Sequence, residues 1–257
     1  MTDIFRRMEK KYIITKKQYE KIQEIINEYM IEDSYGKSTI CNIYFDSPNY
    51  DMISHSIEKP FFKEKVRLRS YNTPTEDSKV YLEIKRKYDG VVGKRRIEMQ
   101  YKDFEKYFKN RSSLENENKQ IKSELDYYFR QYSLKPAMYI SYAREAYYQK
   151  DNPDFRITFD TNIVARDYDL KLSNNVGETE LLEKNLYIME VKTLGAIPMW
   201  LTRKLSSIGV VPGTFSKYGE AYEKLVLNHR KIVKEKPAIE ARKEEVAIAI
   251  QRVPAMA

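Results

Sequence analysis

The chain has 257 residues, 42% hydrophobic and 33% charged, with a Lys and Arg surplus that gives a net charge of +8. A chain of this length can bury a sizeable core, and a basic surplus favours polyanionic partners such as nucleic acid, phosphates or an acidic membrane surface. The single cysteine excludes an internal disulfide. No apolar run reaches the ~18 residues of a membrane span and the first residues lack a signal-peptide core, so we expect a cytoplasmic protein.

The first half of the chain is predicted to alternate between strands and helices. Strands are predicted over residues 5–15, 39–48, 61–71, 79–87 and 94–100, and helices over 16–30, 101–110 and 112–133. Thr15 is the expected N-cap of the first helix, in which isoleucines follow helical spacing. An Asp-Ser-Pro turn ends the second strand, and a turn with two glycines joins the last two strands as a hairpin.

The second half continues this pattern and ends in a segment of different composition. Strands are predicted over 138–148, 155–166 and 185–193, and helices over 197–210 and 216–231. Many strands with helices between and after them indicate an α+β fold with a mainly antiparallel sheet. No linker divides the chain, so we expect one domain over residues 1–228 and a charged, Ala-rich tail over 229–257.

Basic side chains share one face of nearly every predicted strand. In the stretch KVRLRSY, Lys65, Arg67 and Arg69 alternate with Val66 and Leu68. The same alternation places further basic residues on one face of other strands: Lys85, Lys94, Arg96, Arg144, Arg156 and Lys192. A few carboxylates share these faces: Glu83, Glu98, Asp160 and Glu190. For one strand alone, a sheet with one solvated face explains the pattern.

Over six or seven strands the cationic surplus needs counterions or a ligand, because like charges on one face repel. The alternative is a closed barrel, an antiparallel β tunnel whose charged lumen takes a polyphosphate-bearing ligand and whose apolar outer faces are covered by surrounding helices. Single-stranded nucleic acid is the rival polyanion. It is disfavoured because the tyrosines do not lie beside the arginines and no zinc-knuckle, RNP or helix-turn-helix signature occurs.

A set of short motifs occurs in one order along the chain. They are Arg7-x-Glu9-x-Lys11-Tyr12, Lys65-x-Arg67-x-Arg69-x-Tyr71, Glu83-x-Lys85, Lys94-x-Arg96, Tyr142-x-Arg144, Arg156-x-Thr158-x-Asp160, Glu190-x-Lys192 and Ser216-Lys217-Tyr218. Over roughly residues 5 to 228 this set resembles the VTC domain, the catalytic module of the vacuolar transporter chaperone complex, in the triphosphate tunnel (CYTH-like) superfamily. The resemblance implies a basic β tunnel that transfers the γ-phosphate of ATP to a growing polyphosphate chain and releases ADP.

The resemblance also implies roles for individual residues. It implies a catalytic set of Arg67, Arg69, Lys85, Arg144, Arg156 and Lys192, and a phosphate- or nucleotide-binding set of Arg7, Lys11, Lys65, Lys94, Arg96, Tyr142, Ser216 and Lys217. Glu190 and Glu9 are the implied ligands of Mn²⁺ or Mg²⁺, although Glu9 could equally pair with a neighbouring arginine. Hydrolytic members of the superfamily carry Glu-x-Glu-x-Lys at the N-terminus, so Arg7 at the first of these positions favours the polymerase branch.

The resemblance to the VTC domain also implies the partners of the protein. They are ATP and polyphosphate, with inositol phosphates as candidate regulators, no nucleic acid and no membrane span in the chain itself; a membrane-protein partner is left open. Two alternatives remain: a tripolyphosphatase or nucleoside triphosphatase, and a non-catalytic module that binds polyphosphate or inositol phosphate. Glu83 and Asp160 are expected to act as ion-pair partners that hold the cations, and Cys41 to lie in the core.

Overall fold

A computed structural model describes residues 8–88, 91–110, 119–174 and 178–229. The strands are β1 (Met8–Thr15), β2 (Met30–Glu32), β3 (Ser38–Asp46), β4 (Phe62–Tyr71), β5 (Lys79–Tyr88), β6 (Val91–Gln100), β7 (Lys135–Gln149), β8 (Asn152–Arg166), β9 (Thr179–Glu180) and β10 (Leu186–Thr193). The helices are α1 (Lys16–Tyr29), α2 (Asp51–Ile57), α3 (Tyr101–Asn110), α4 (Lys119–Gln131), α5 (Met199–Ser207) and α6 (Lys217–Ala221), and a π-helical turn over Tyr222–Leu227 continues α6. Arg7 and residues 230–257 of the predicted tail lie outside the described residues.

All ten strands belong to one antiparallel sheet with the order β1-β10-β8-β7-β3-β4-β5-β6, to which β2 and β9 add at β7 and β8. Six inter-strand spacings separate β1 from β5, about 29 Å in a flat sheet. Yet Lys85 Nζ on β5 lies 3.4 Å from Glu9 Oε2 on β1. The sheet is therefore curled into a half-barrel. Within the described residues no backbone pairing joins its outermost strands, β1 and β6.

Helices cover the convex face of the curled sheet in two places. α3 and α4 pack on β3 to β6, where Val66 and Leu68 are 0% and 1% exposed. α1 and α5 pack on β1, β8 and β10 around Ile22, Ile26 and Leu201. Burying each such side chain stabilises the fold by about 1.5–3 kcal/mol. Among the described helices, none is long and apolar enough to cross a bilayer.

The concave face is apolar at one end and charged at the other. α2 and α6 fill the apolar end and pack against Ile40, Ile140 and Ile188. Asp46, fully buried at the end of β3, ties the two helices together. Its carboxylate accepts hydrogen bonds from the backbone N–H groups of Met52 and Ile53 at 2.9 and 3.0 Å, and from the hydroxyl group of Tyr218 at 2.8 Å.

The α+β class and the antiparallel sheet are confirmed, and most predicted elements occur within a few residues of their expected bounds. Three short elements are new: α2, β2 and β9. They have too few residues for a periodic pattern, and long-range contacts hold them: α2 is anchored by Asp46, and β2 and β9 add to the longer strands β7 and β8. The prediction that Cys41 lies in the core is confirmed, since it is 1% exposed.

Candidate functional site

The charged end of the concave face surrounds a cavity of about 740 Å³. Eleven of its lining side chains are cationic: Lys11, Lys65, Arg67, Arg69, Lys85, Arg86, Lys94, Arg95, Arg144, Lys192 and Lys217. Glu9 and Glu190 are its only lining carboxylates among the described residues. Arg86 pairs with Glu64 and Arg95 with Glu124 of α4, so the unbalanced charge comes from the other nine cations. Such a cavity attracts a polyanion.

Glu83 of β5 holds the first group of cations. It faces Arg67 across the β4–β5 ladder and is 1% exposed. Its carboxylate lies 2.8 Å from Arg67 Nε, 3.8 Å from Arg69 Nε and 2.5 Å from Lys94 Nζ. Burial alone would raise the pKa of Glu83, but these three positive charges outweigh burial and hold it well below its usual range. Glu83 therefore stays ionised and orients the Arg67 guanidinium group by a hydrogen bond, whereas Arg69 Nε donates to Asn42 Oδ1 at 3.1 Å.

Tyr44 of β3 contacts the same cations from the other side. Its hydroxyl oxygen accepts a hydrogen bond from Arg67 Nη1 at 3.2 Å, and its ring stacks on Tyr218 with centroids 4.7 Å apart. Burial tends to raise the pKa of Tyr44, but the charges of Arg67, Lys65 and Arg69 lower it to about 8. Tyr44 was not a predicted site residue, although it alternates with Asn42 on the concave face of β3.

Asp160 of β8 holds the second group of cations and is fully buried. Arg144, opposite it on β7, donates from Nε to Oδ1 at 2.6 Å and from Nη2 to Oδ2 at 2.7 Å. Lys217 Nζ adds a third bond, of 2.6 Å, to Oδ2. Burial raises the pKa of Asp160, but Arg144 and Lys217 overcome it and lower the pKa to about 2. The interpretation of Glu83 and Asp160 as ion-pair partners is confirmed.

Glu190 and Glu9 lie together on the β10 and β1 side of the cavity. Glu190 Oε2 is 3.1 Å from Lys192 Nζ and 3.9 Å from Arg144 Nη2, and Glu9 lies within hydrogen-bonding reach of it. Burial would raise the pKa of Glu190, but Lys192, the contact with Glu9, and Lys11 hold it well below its usual range. Within the part of the chain that is described, no group of three or more His, Cys, Asp or Glu residues could hold a metal.

The segment before α6 brings Ser216 and Lys217 to the cavity. Its backbone is tied to β1, because Gly213 N–H donates to the carbonyl of Lys11 at 2.8 Å and Lys11 Nζ donates to the carbonyl of Phe215 at 2.9 Å. Ser216 caps α6 by accepting from the N–H of Gly219 at 3.2 Å, and Lys65 Nζ donates to the same hydroxyl oxygen at 3.0 Å. The Ser216 hydroxyl oxygen thus both caps α6 and accepts a hydrogen bond from a lysine that lines the cavity.

Tyr142 is buried among the cations, with 3% of its surface exposed. Its hydroxyl group is 3.4 Å from Arg69 Nη2, while the Arg144 guanidinium carbon and Lys217 Nζ lie 5.1 and 4.4 Å from its ring centroid. These cation–π contacts place positive charge around the ring. Tyr142 therefore lies among three cations of the site, as Tyr44 lies beside Arg67. The expectation that the tyrosines do not lie beside the arginines is wrong, because both residue types share the concave face.

Most of the residues predicted for the site line this one cavity. The thirteen that do are Glu9, Lys11, Lys65, Arg67, Arg69, Lys85, Lys94, Tyr142, Arg144, Glu190, Lys192, Ser216 and Lys217. Arg96 is exposed and lies over the ring of Tyr81, and Arg156 is exposed and donates to the carbonyl of Pro153; neither is a lining residue. Arg7 lies outside the described residues. The individual roles stay predictions.

Comparison with known proteins identifies the family. The VTC domain model matches residues 6–226, most of the chain and all of the elements that form the cavity. The chain belongs to the VTC domain family. The resemblance inferred from the sequence is thus confirmed. A search of curated proteins found no match to this VTC-family chain.

Solved structures similar to the VTC-family chain include two bacterial proteins. A "putative adenylate cyclase" from Vibrio parahaemolyticus is 10% identical with a TM-score of 0.48, over 84% of this chain and 97% of the other. A "putative adenylate cyclase" from Bacillus halodurans is 11% identical with a TM-score of 0.48, over 82% and 95%.

Proposed function

We propose that the chain is a polyphosphate polymerase that transfers the γ-phosphate of ATP to a growing polyphosphate chain and releases ADP. The observation that carries this proposal is the cavity in which the buried carboxylates Glu83 and Asp160 orient Arg67 and Arg144, with Arg69 beside them. Membership of the VTC domain family supports it. In this proposal the half-barrel acts as the wall of a tunnel, residues 1–228 form the catalytic domain, and the protein works in the cytoplasm.

The cations of the cavity would bring two polyanions together. Phosphoryl transfer depends mainly on in-line positioning and on neutralising charge on the transferred group. Arg67 and Arg69 are held on one wall, and Arg144 and Lys217 on another, so phosphates of donor and acceptor can bind between them. An acceptor that ends in an ionised phosphate needs no general base. The site needs no histidine for this chemistry.

Glu190 and Glu9 fit a divalent cation. Mg²⁺ and similar ions at phosphate-transfer sites are held by one or two carboxylates together with substrate phosphates. The pair supplies two carboxylates, and Glu190 remains ionised because of the cations around it. Mn²⁺ or Mg²⁺ would there polarise phosphate oxygens of the substrates. Lys192, whose Nζ lies 3.1 Å from Glu190 Oε2, would help to hold the carboxylate that binds the ion.

The test is a product assay with the purified full-length chain, ATP, and Mn²⁺ or Mg²⁺. We expect ADP together with an acid-precipitable polymer that contains phosphate alone. Orthophosphate as the sole product would replace this proposal with a tripolyphosphatase or nucleoside triphosphatase. Binding of polyphosphate or inositol phosphate without any turnover would replace it with a binding module.

Variants of the cavity make the assay specific. Arg69→Ala should lower kcat/KM for polymer synthesis by about 10- to 100-fold, the effect of one lost charge-assisted contact. Because Arg69 is buried, Lys65→Met serves as a second variant with the same expected loss. Arg130→Ala, on the exposed side of α4, is the matched control and should keep wild-type activity. Wild-type synthesis in both cavity variants would contradict the assignment of this cavity.

A further inference from the structure

Three tyrosines and an arginine form an exposed cluster beside the cavity, which we call the aromatic rim: Tyr35, Tyr71, Tyr81 and Arg96. The rings of Tyr35 and Tyr71 are stacked, with centroids 5.7 Å apart and planes 14° apart. Tyr81 meets Tyr71 edge-on at 5.8 Å, and the Arg96 guanidinium carbon lies 4.8 Å from the Tyr81 ring centroid. Four chain segments thus contribute to one aromatic surface.

Packing of the fold does not account for this surface. Tyr35 is 70% exposed and Tyr71 is 38% exposed, and neither belongs to a hydrophobic core cluster of the described residues. Single exposed apolar residues are ordinary, but a contiguous exposed aromatic patch next to a cavity is typical of a binding site. The aromatic faces therefore suit a planar ligand.

The aromatic rim begins where the cationic wall ends. Tyr71 follows Arg69 by two residues on β4, which places it on the same face about 7 Å further along the strand. Tyr81 is the direct cross-strand partner of Arg69. A ligand whose phosphates contact Arg69 can therefore extend its remaining part over the rim without leaving the concave face.

Among the aromatic rings that line the cavity, Phe62 and Tyr88 are 42% and 65% exposed but lie at the ends of β4 and β5 away from Arg69. Tyr142, which lies beside Arg69, offers no comparable face. Tyr142 is 3% exposed and has Arg144 and Lys217 over its ring. A nucleotide base that binds beside the phosphates needs an accessible π-surface, and the aromatic rim provides one next to Arg69.

We propose that the aromatic rim binds the base of a nucleoside triphosphate whose phosphates enter the cavity. This inference rests on the proposed function for the presence of a nucleotide donor. The base stacks on the outer face of Tyr35, whose inner face lies against Tyr71, and Arg96, held over Tyr81, adds a cation beside the stack. Arg96 then serves the base of the nucleotide instead of its phosphates.

The experiment compares two ligands by isothermal titration calorimetry at fixed ionic strength and Mg²⁺ concentration: ATP, and inorganic tripolyphosphate, which has no base. Tyr35→Ala is the principal variant, because its high exposure makes it neutral for folding. Loss of one stacking contact should weaken ATP binding about tenfold and leave tripolyphosphate binding within twofold of wild type. Tyr35→Phe should restore ATP affinity. Tyr127→Ala, which removes another largely exposed ring, from α4, is the control.

Each outcome decides the proposal separately from the polymerase assignment. Unchanged ATP affinity in both Tyr35→Ala and Tyr71→Ala would overturn the aromatic rim as a base site, as would an equal loss for ATP and tripolyphosphate. If the variants weaken the binding of ATP alone, the base site is supported even when the product assay yields only orthophosphate. Orthophosphate as the product contradicts the polymerase proposal and not the base site. If the chain synthesises polymer and both variants keep the ATP affinity of the wild type, the base site is contradicted and the polymerase proposal stands.

Discussion

Lys65 and Lys94 show how single residues of the cavity respond to their surroundings. Desolvation lowers the pKa of Lys65 to about 8, and Lys11 and Lys85 add to this effect while Tyr44 opposes it. Desolvation also lowers the pKa of Lys94 to about 8, against the opposing charge of Glu83. Both lysines are charged below that pH and lose their protons above it, whereas a free lysine would stay charged to about 10.4.

We therefore predict that affinity for inorganic tripolyphosphate falls as the pH rises from 7 to 9.5. In Lys65→Arg the fall should be about tenfold smaller, because arginine keeps its charge throughout this range. Titration of the ligand itself affects both proteins equally, so the comparison isolates Lys65. The measurement is calorimetric titration at several pH values with constant ionic strength. Parallel pH profiles of wild type and Lys65→Arg would contradict the depressed pKa.

At the scale of elements, α6 links helix capping to the cavity. Ser216 accepts the N–H of Gly219 and the ammonium group of Lys65 with one oxygen, so the start of α6 and one cavity wall depend on each other. α1 offers a comparison: Thr15 accepts the N–H of Gln18 at 3.3 Å in a capping box. Thr15 is not among the residues that line the cavity.

Removal of each cap should therefore have different consequences. Ser216→Ala and Thr15→Ala should each lower the free energy of unfolding by about 1 kcal/mol, the usual value of an N-cap. Only Ser216→Ala should also weaken tripolyphosphate binding, by a few-fold, since Lys65 loses its partner. Urea unfolding and calorimetric titration measure the two effects. Equal binding losses in both variants would show that the effect comes from stability and not from the cavity.

At the scale of the whole molecule, the fold concentrates like charges on the concave side of one sheet. Nine cations outnumber the carboxylates Glu9 and Glu190 on the cavity wall, and among the described residues Glu83 and Asp160 lie behind them as further buried counter-charges. Repulsion among these cations opposes folding, and a bound polyanion relieves it. A ligand that binds only the folded state also stabilises it by mass action.

Inorganic tripolyphosphate at about 100 times its Kd should accordingly raise the midpoint of thermal unfolding by about 5–10 °C. Sodium chloride at matched ionic strength is the control and should give a much smaller rise, because it screens charge without bridging the cations. The readout is a thermal scan by circular dichroism. An equal rise with both salts would show that the cavity has no specific affinity for linked phosphates.

The alternation of basic and apolar residues was enough to predict much of the site. A strand places successive side chains on opposite faces, so the sequence separates Arg67 and Arg69 from Val66 and Leu68 before any fold is known. The same local rule brings Lys85, Arg144 and Lys192 to the cavity. This rule assigns the face of the sheet but not the place along it, since Arg96 and Arg156 share the expected face and yet lie outside the cavity lining.

By itself the sequence determined the α+β class, the VTC family and the cationic face of most long strands, because these depend on local spacing and on ordered motifs. Only the tertiary structure decided which charges meet. It brings Glu9 to Lys85 across a curled sheet, Ser216 to Lys65 over 151 positions of sequence, and Tyr35 to Tyr71 beside Arg69. Strand order and curl result from many long-range pairings at once, and no local period encodes them.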